Sequence, residues 1–148
     1  MLSSREAILG AMSLRPNMTM TIHHIQRALF LTEVGMYGDP KCFPTGYGFN
    51  PGAYGPVSNE IHKEVLKLSF DGSIAALFGR GMGTYIAMEK GYAEGLMIVN
   101  SLSAVRRHGY VETITWVQNS TIEELAASFR LHYPEFCTNE LQEEEAKS

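Results

Sequence analysis

Residues 58–88 read SNEIHKEVLKLSFDGSIAALFGRGMGTYIAM, and this stretch decides the fold class. Ser58 is a residue type that caps helix amino termini by accepting a free backbone N–H. Ile61, Val65 and Leu68 follow at helical spacing and form one apolar face, while Glu60, Lys63, Glu64 and Lys67 point away from it. Asp71-Gly72 stands where a helix ends on glycine. Two extended segments come next, residues 73–78 and 84–88. Gly79-Arg80-Gly81-Met82-Gly83 joins them as a hairpin tip.

Upstream lies a stretch dense in glycine, proline and aromatics, residues 41–56. Gly46, Gly48, Gly52 and Gly55, with Pro44, Pro51 and Pro56, exclude a continuous helix or a long central strand. Phe43, Tyr47, Phe49 and Tyr54 are interleaved with them. Aromatics at this density predict an ordered loop, with a short extended piece near residues 47–49. Before the loop, Thr21 opens a helix whose face carries Ile22, Ile25, Leu29 and Thr32. His23, His24, Gln26, Arg27 and Glu33 fall mostly off that face. A shorter helix precedes it over residues 3–13, where Ser3 and Glu6 have the spacing of a capping box and Pro16 marks the end.

Downstream of the hairpin, Tyr92, Leu96 and Val99 keep helical spacing. Residues 110–118 are ambiguous: Val111, Thr113, Thr115 and Val117 alternate as in a strand, but Tyr110, Ile114 and Val117 fit a helix. A last helix starts at Ser120, with Glu123 completing a capping box, and stops at Pro134. These elements predict an α+β, mainly α fold: a compact helical domain, residues 1–137, with a winged-helix-like β-hairpin. Residues 138–148 form an acidic tail, expected to be flexible.

The chain has 148 residues and a net charge of −4. Much of the acidity sits in the tail, as Glu140, Glu143, Glu144 and Glu145 against Lys147. The body is close to neutral, so net charge argues neither for nor against a nucleic-acid partner. No apolar run approaches the ~18 residues of a membrane helix, so no membrane association is expected. Cys42 and Cys137 are far apart and form no CxxC, which fits reduced thiols and a cytoplasmic location.

Site chemistry is sparse. His23 and His24 are adjacent, so a helix turns them about 100° apart, away from a common ligand; no metal or cofactor is expected. A Cys42–His62 pair has no nucleophile signature around it. Gly79-x-Gly81-x-Gly83 leads into a strand, where a dinucleotide loop opens a helix. Glu123-Glu124 is explained by carboxylates favouring a helix amino end. The sequence therefore predicts a non-enzymatic protein. Two binding modes remain. The helix after Ser58 carries Asn59, Lys63 and Lys67, and the hairpin tip adds Arg80; a winged helix would place these against DNA. Glu60 and Glu64 on the same helix weaken such a contact, since phosphates dominate DNA affinity. The aromatic loop offers Tyr47, Phe49 and Tyr54, side chains typical of protein–protein hot spots, or else a cap on the core.

Tyr54-Gly55-Pro56-Val57-Ser58, followed by Glu60, Ile61 and a helix, resembles the Panacea-type, phage-associated (GepA-like, SocA-like) family. Gln26-Arg27-Ala28-Leu29-Phe30 is similar to that family's upstream lysine-leucine-leucine-tyrosine-phenylalanine pattern, with Gln26 or Arg27 in place of the lysine. Leu68, Asp71-Gly72, Ile74, Tyr85, Glu89-Lys90-Gly91 and His132-Tyr133-Pro134 extend the similarity over residues 20–136. The resemblance implies a small, mainly helical domain of antitoxin or phage-accessory type that contacts a partner protein such as a toxin, and lends residues 110–118 a helical reading. A winged-helix DNA-binding regulator is the alternative, and self-association into a homo-oligomer stays open.

Overall fold

The computed structural model describes residues 2–34, 46–77 and 83–138. The elements run α1 (Ser4–Met12), β1 (Thr19–Thr21), α2 (Ile22–Val34), α3 (Asn59–Phe70), β2 (Ile74–Leu77), β3 (Thr84–Ala87), α4 (Glu89–Ser101), α5 (Ala104–Gln118) and α6 (Ile122–His132), then a 3-10 turn at Pro134–Phe136. The fold is α+β and mainly α. The strands form one antiparallel sheet in the order β1-β3-β2, with Met20 and Ala76 flanking Tyr85. Helix α3 leading into the β2–β3 hairpin gives the winged-helix-like arrangement expected from residues 58–88. Strand β1 is a finding: three residues are too few for a period-two pattern to register.

Helix α1 is the centre of the core. Ala7, Ile8, Leu9, Ala11 and Met12 are all buried, because α1 is covered by α2, α3, α4 and α5. Its capping box forms as the Ser3–Glu6 spacing predicts. Helix α4 lies against it at close range: a Cβ on Gly95 would stand 2.4 Å from Leu9 O, and one on Gly91 would stand 2.0 Å from Ser73 O. Only hydrogen fits at these two positions.

Residues 110–118 are helical, within α5. Burial of Tyr110, Ile114 and Val117 on one face decides the matter, and Tyr110 Oη donates to Ala7 O at 2.6 Å, tying α5 to α1. The start of α6 shifts by one residue from the sequence expectation. Thr121, not Ser120, is the N-cap, and its capping-box partner is Glu124. Ser120 instead donates its hydroxyl to Trp116 O and accepts His24 Nε2 on its carbonyl, at 2.8 Å each. At the far end of α3, Ser73 N donates to Leu68 O at 3.0 Å, the closing bond of a Schellman-type terminus.

The described fold runs through Thr138, whose N–H donates to Gly52 O. Residues 139–148 of the acidic tail lie outside the described residues. Among the described residues, no helix is long and apolar enough to cross a membrane.

Candidate functional site

The aromatic loop does not act as one surface. Tyr47 is 4% exposed and its hydroxyl donates to Leu2 O at 3.0 Å. Its carbonyl accepts the Ser58 hydroxyl at 2.7 Å. This corrects the expectation of a partner-contacting Tyr47: the ring belongs to the core. Phe49 is partly buried and packs edge-on against Phe30 at 5.3 Å. Phe30 also meets Phe129, Tyr133 and Phe136, so Phe49 is one wall of an aromatic cluster joining the loop to α2 and α6. Tyr54 remains on the surface, 43% exposed, with its ring edge-on to His23. Cys42, Phe43 and Arg80 lie outside the described residues.

What the loop does is position α3. Asn50 and Val57 form a two-way backbone bridge, Asn50 N to Val57 O at 2.8 Å and Val57 N to Asn50 O at 2.9 Å. Gly55, at φ +124°, makes the turn between them. Ser58 then caps α3, its hydroxyl accepting from Ile61 N at 3.2 Å. Gln26 on α2 grips the Ser58 backbone from the other side.

Asn59, Lys63 and Lys67 are all exposed on α3. At 100° per residue, Asn59, Lys63, Leu66 and Phe70 fall within about 60° of one another, opposite Ile61, Val65 and Leu68. Phe70 is 92% exposed and Leu66 is 45% exposed. Glu60, Glu64 and Lys67 lie along one flank of this stripe, so the acids do not break it. The sequence reading treated the outward face as a charge pattern only. The i, i+4 pair of Leu66 and Phe70, facing away from the core stripe, was the available signal.

On the other flank, a groove of about 360 Å³ separates the start of α2 from the start of α3. It is lined by His23, Gln26, Arg27, Ser58, Asn59 and His62, among others. Arg27 was expected off the buried face of α2 but is 2% exposed, because loop residues 54–55 close over it. Its Nε donates to Tyr54 O at 3.3 Å, and Nη1 lies 3.5 Å from His23 Nδ1. Desolvation draws the guanidinium down to about 10, still protonated near neutrality. Burial, then the neighbouring Arg27 and His24, lower His23, so His23 is a neutral acceptor for Arg27. Both ion pairs among the described residues belong to Arg5, to Asp71 and to Glu94; Arg27 has no carboxylate partner among them.

Among the described residues, no group of three or more His, Cys, Asp or Glu is arranged to hold a metal ion. No known family model matches the chain, and no curated protein matches it either.

Proposed function

We propose that this protein is a non-enzymatic binding module of the antitoxin or phage-accessory kind, which docks a partner protein on the outer face of α3. One observation carries the reading: Phe70 stands 92% exposed at the end of the α3 stripe, with Leu66 and Lys63 on the same side. A large aromatic left in water beside an aliphatic and a cation has the composition of a hot spot. Asn59 lies on the same face at the start of α3, Lys67 on its flank, and Tyr54 is exposed on the loop before α3 beside His23. The resemblance of residues 54–58 to the Panacea-type motif supports the same class, and a cytoplasmic partner fits it.

Co-purification from the native host tests this. The expected result is a stoichiometric partner with the parent chain. It is lost in Phe70→Ser and Leu66→Ser, while both variants keep the parent's melting temperature. A partner retained by both variants, or none recovered with the parent, overturns the reading.

A DNA-binding reading is favoured by one feature, the winged-helix-like placement of α3 before the hairpin, with Lys63 and Lys67 exposed. Its signature is duplex binding that falls steeply with salt and is lost in Lys63→Glu/Lys67→Glu.

A further inference from the structure

The groove between α2 and α3 adjoins the outer stripe of α3 and shares Asn59 with it, but what it could bind does not depend on the docking reading. Three features converge there. The first is Arg27, a buried cation with no carboxylate partner among the described residues. It has five N–H donors. One meets Tyr54 O and one approaches His23 Nδ1; the other three have no acceptor among the described residues. Burying a charge is unfavourable unless a counter-charge or full hydrogen bonding offsets it. The second is the amino terminus of α3, a helix of 12 residues. Ser58 N is held by Gln26 and Ile61 N by the Ser58 hydroxyl. The N–H group of Asn59, which lines the groove, has no acceptor among the described residues, and it sits at the positive end of the helix dipole. The third is the wall: His62 and Asn59 line the groove, and both residue types carry side-chain N–H donors. No aspartate or glutamate lines the groove.

We propose that this groove is an anion-binding site that takes an oxyanion group, a phosphate or a carboxylate, between the Arg27 guanidinium and the Asn59 amide at the start of α3. The anion supplies the counter-charge that Arg27 otherwise lacks, and it accepts from the unused N–H groups. Binding is reversible and involves no covalent step.

The test is a titration of the full chain with sodium phosphate, and separately with sodium acetate, each balanced by sodium chloride to constant ionic strength. Backbone and arginine side-chain NMR signals are followed. The expected result is saturable movement centred on Asn59, Ser58 and the Arg27 Nε–H. Response to phosphate alone assigns the site to phosphoryl groups; response to both assigns it to oxyanions in general. Arg27→Met preserves bulk without charge and is expected to weaken binding at least tenfold. Because Arg27 is buried, that variant could lose the fold, so Asn59→Pro is the second variant. Proline is tolerated at the first helical position, and Ser58 already has the extended backbone that a following proline needs, φ −128° and ψ 123°. It removes the backbone N–H and the side-chain amide of Asn59 and leaves the helix in place, and a several-fold loss of affinity is expected. The proposal is overturned by shifts that do not saturate or that centre on Lys63 and Lys67. Unchanged affinity in Asn59→Pro overturns it equally.

Discussion

Gln26 and Ser58 are joined by a reciprocal pair of hydrogen bonds: Gln26 Nε2 donates to Ser58 O at 3.1 Å, and Ser58 N donates to Gln26 Oε1 at 2.9 Å. A side-chain amide here imitates a neighbouring strand. Both residues are buried, so the pair replaces water that neither could reach. It locks the start of α3 to α2 and thereby sets the width of the groove between them.

Gln26→Leu removes both bonds and leaves the buried Ser58 N–H unsatisfied, while Ser58 O keeps its bond from His62 N. A loss of about 1–3 kcal/mol is expected from the orphaned donor. Gln26→Glu keeps the acceptor for Ser58 N but loses the donor to Ser58 O. Urea unfolding of the two variants should show both less stable than the parent. A loss under ~0.5 kcal/mol in Gln26→Leu would mean that the start of α3 is held elsewhere.

Two helical glycines should respond in opposite directions. A Cβ on Gly95 would stand 2.1 Å from Ser13 Oγ and 2.4 Å from Leu9 O, so Gly95→Ala must push α4 off α1. Overpacking of this kind costs about 1–3 kcal/mol or more. Gly109, inside α5, has nothing within 4 Å of such a Cβ. Gly109→Ala should therefore stabilise by up to about 1 kcal/mol through helix propensity. Thermal melting of both variants checks the contrast, and a shift of the same sign in each contradicts it.

At Gly55 the backbone has φ +124°, and an added Cβ would lie 3.2 Å from Arg27 Nε. Valine is strained there twice, by its backbone conformation and by the guanidinium beneath it. Gly55→Val is expected to cost roughly 2 kcal/mol or more. Equal melting temperatures for variant and parent would show that the turn relaxes freely.

Asp71 introduces a pH dependence. Hydrogen bonds from Ser73, then Arg5, hold its carboxyl well below the usual carboxylate range; Arg5 Nη1 lies 2.7 Å from Asp71 Oδ2. A depressed folded-state pKa stabilises above the unfolded value of about 3.9 and is lost as pH falls below it. The pair is solvent-screened, so the contribution is expected below about 1 kcal/mol. Unfolding free energy measured between pH 5 and pH 2.5 should drop less steeply in Asp71→Asn than in the parent. Parallel curves would exclude Asp71 as a source of the acid sensitivity.

The local elements were legible because each is written in short-range chemistry. The Ser3–Glu6 capping box, the apolar face of Ile61, Val65 and Leu68, and the two extended runs around Gly79–Gly83 all declare themselves within a few residues. The candidate surface was legible only in part. Asn59, Lys63 and Lys67 could be placed on an exposed helix face by periodicity. Tyr47 could not be told apart from Tyr54, since both are tyrosines in one glycine-rich loop. Their difference lies in the Leu2 carbonyl that Tyr47 reaches and that Tyr54 does not.

By itself, then, the sequence determined the order of helices and hairpin, the mixed α+β class, and the register of the α3 core face. Those depend on side-chain period and capping within a turn or two. Tertiary structure decided between helix and strand for residues 110–118, and it alone decided that Thr19–Thr21 becomes an edge strand on β3 and that Arg27 is buried beside a groove. These outcomes depend on neighbours distant in the chain: Ala7 for Tyr110, Tyr85 for Met20, and Tyr54 for Arg27. No local pattern encodes which distant backbone carbonyl a side chain will find, and burial of a charge is settled only when the loop that covers it has closed.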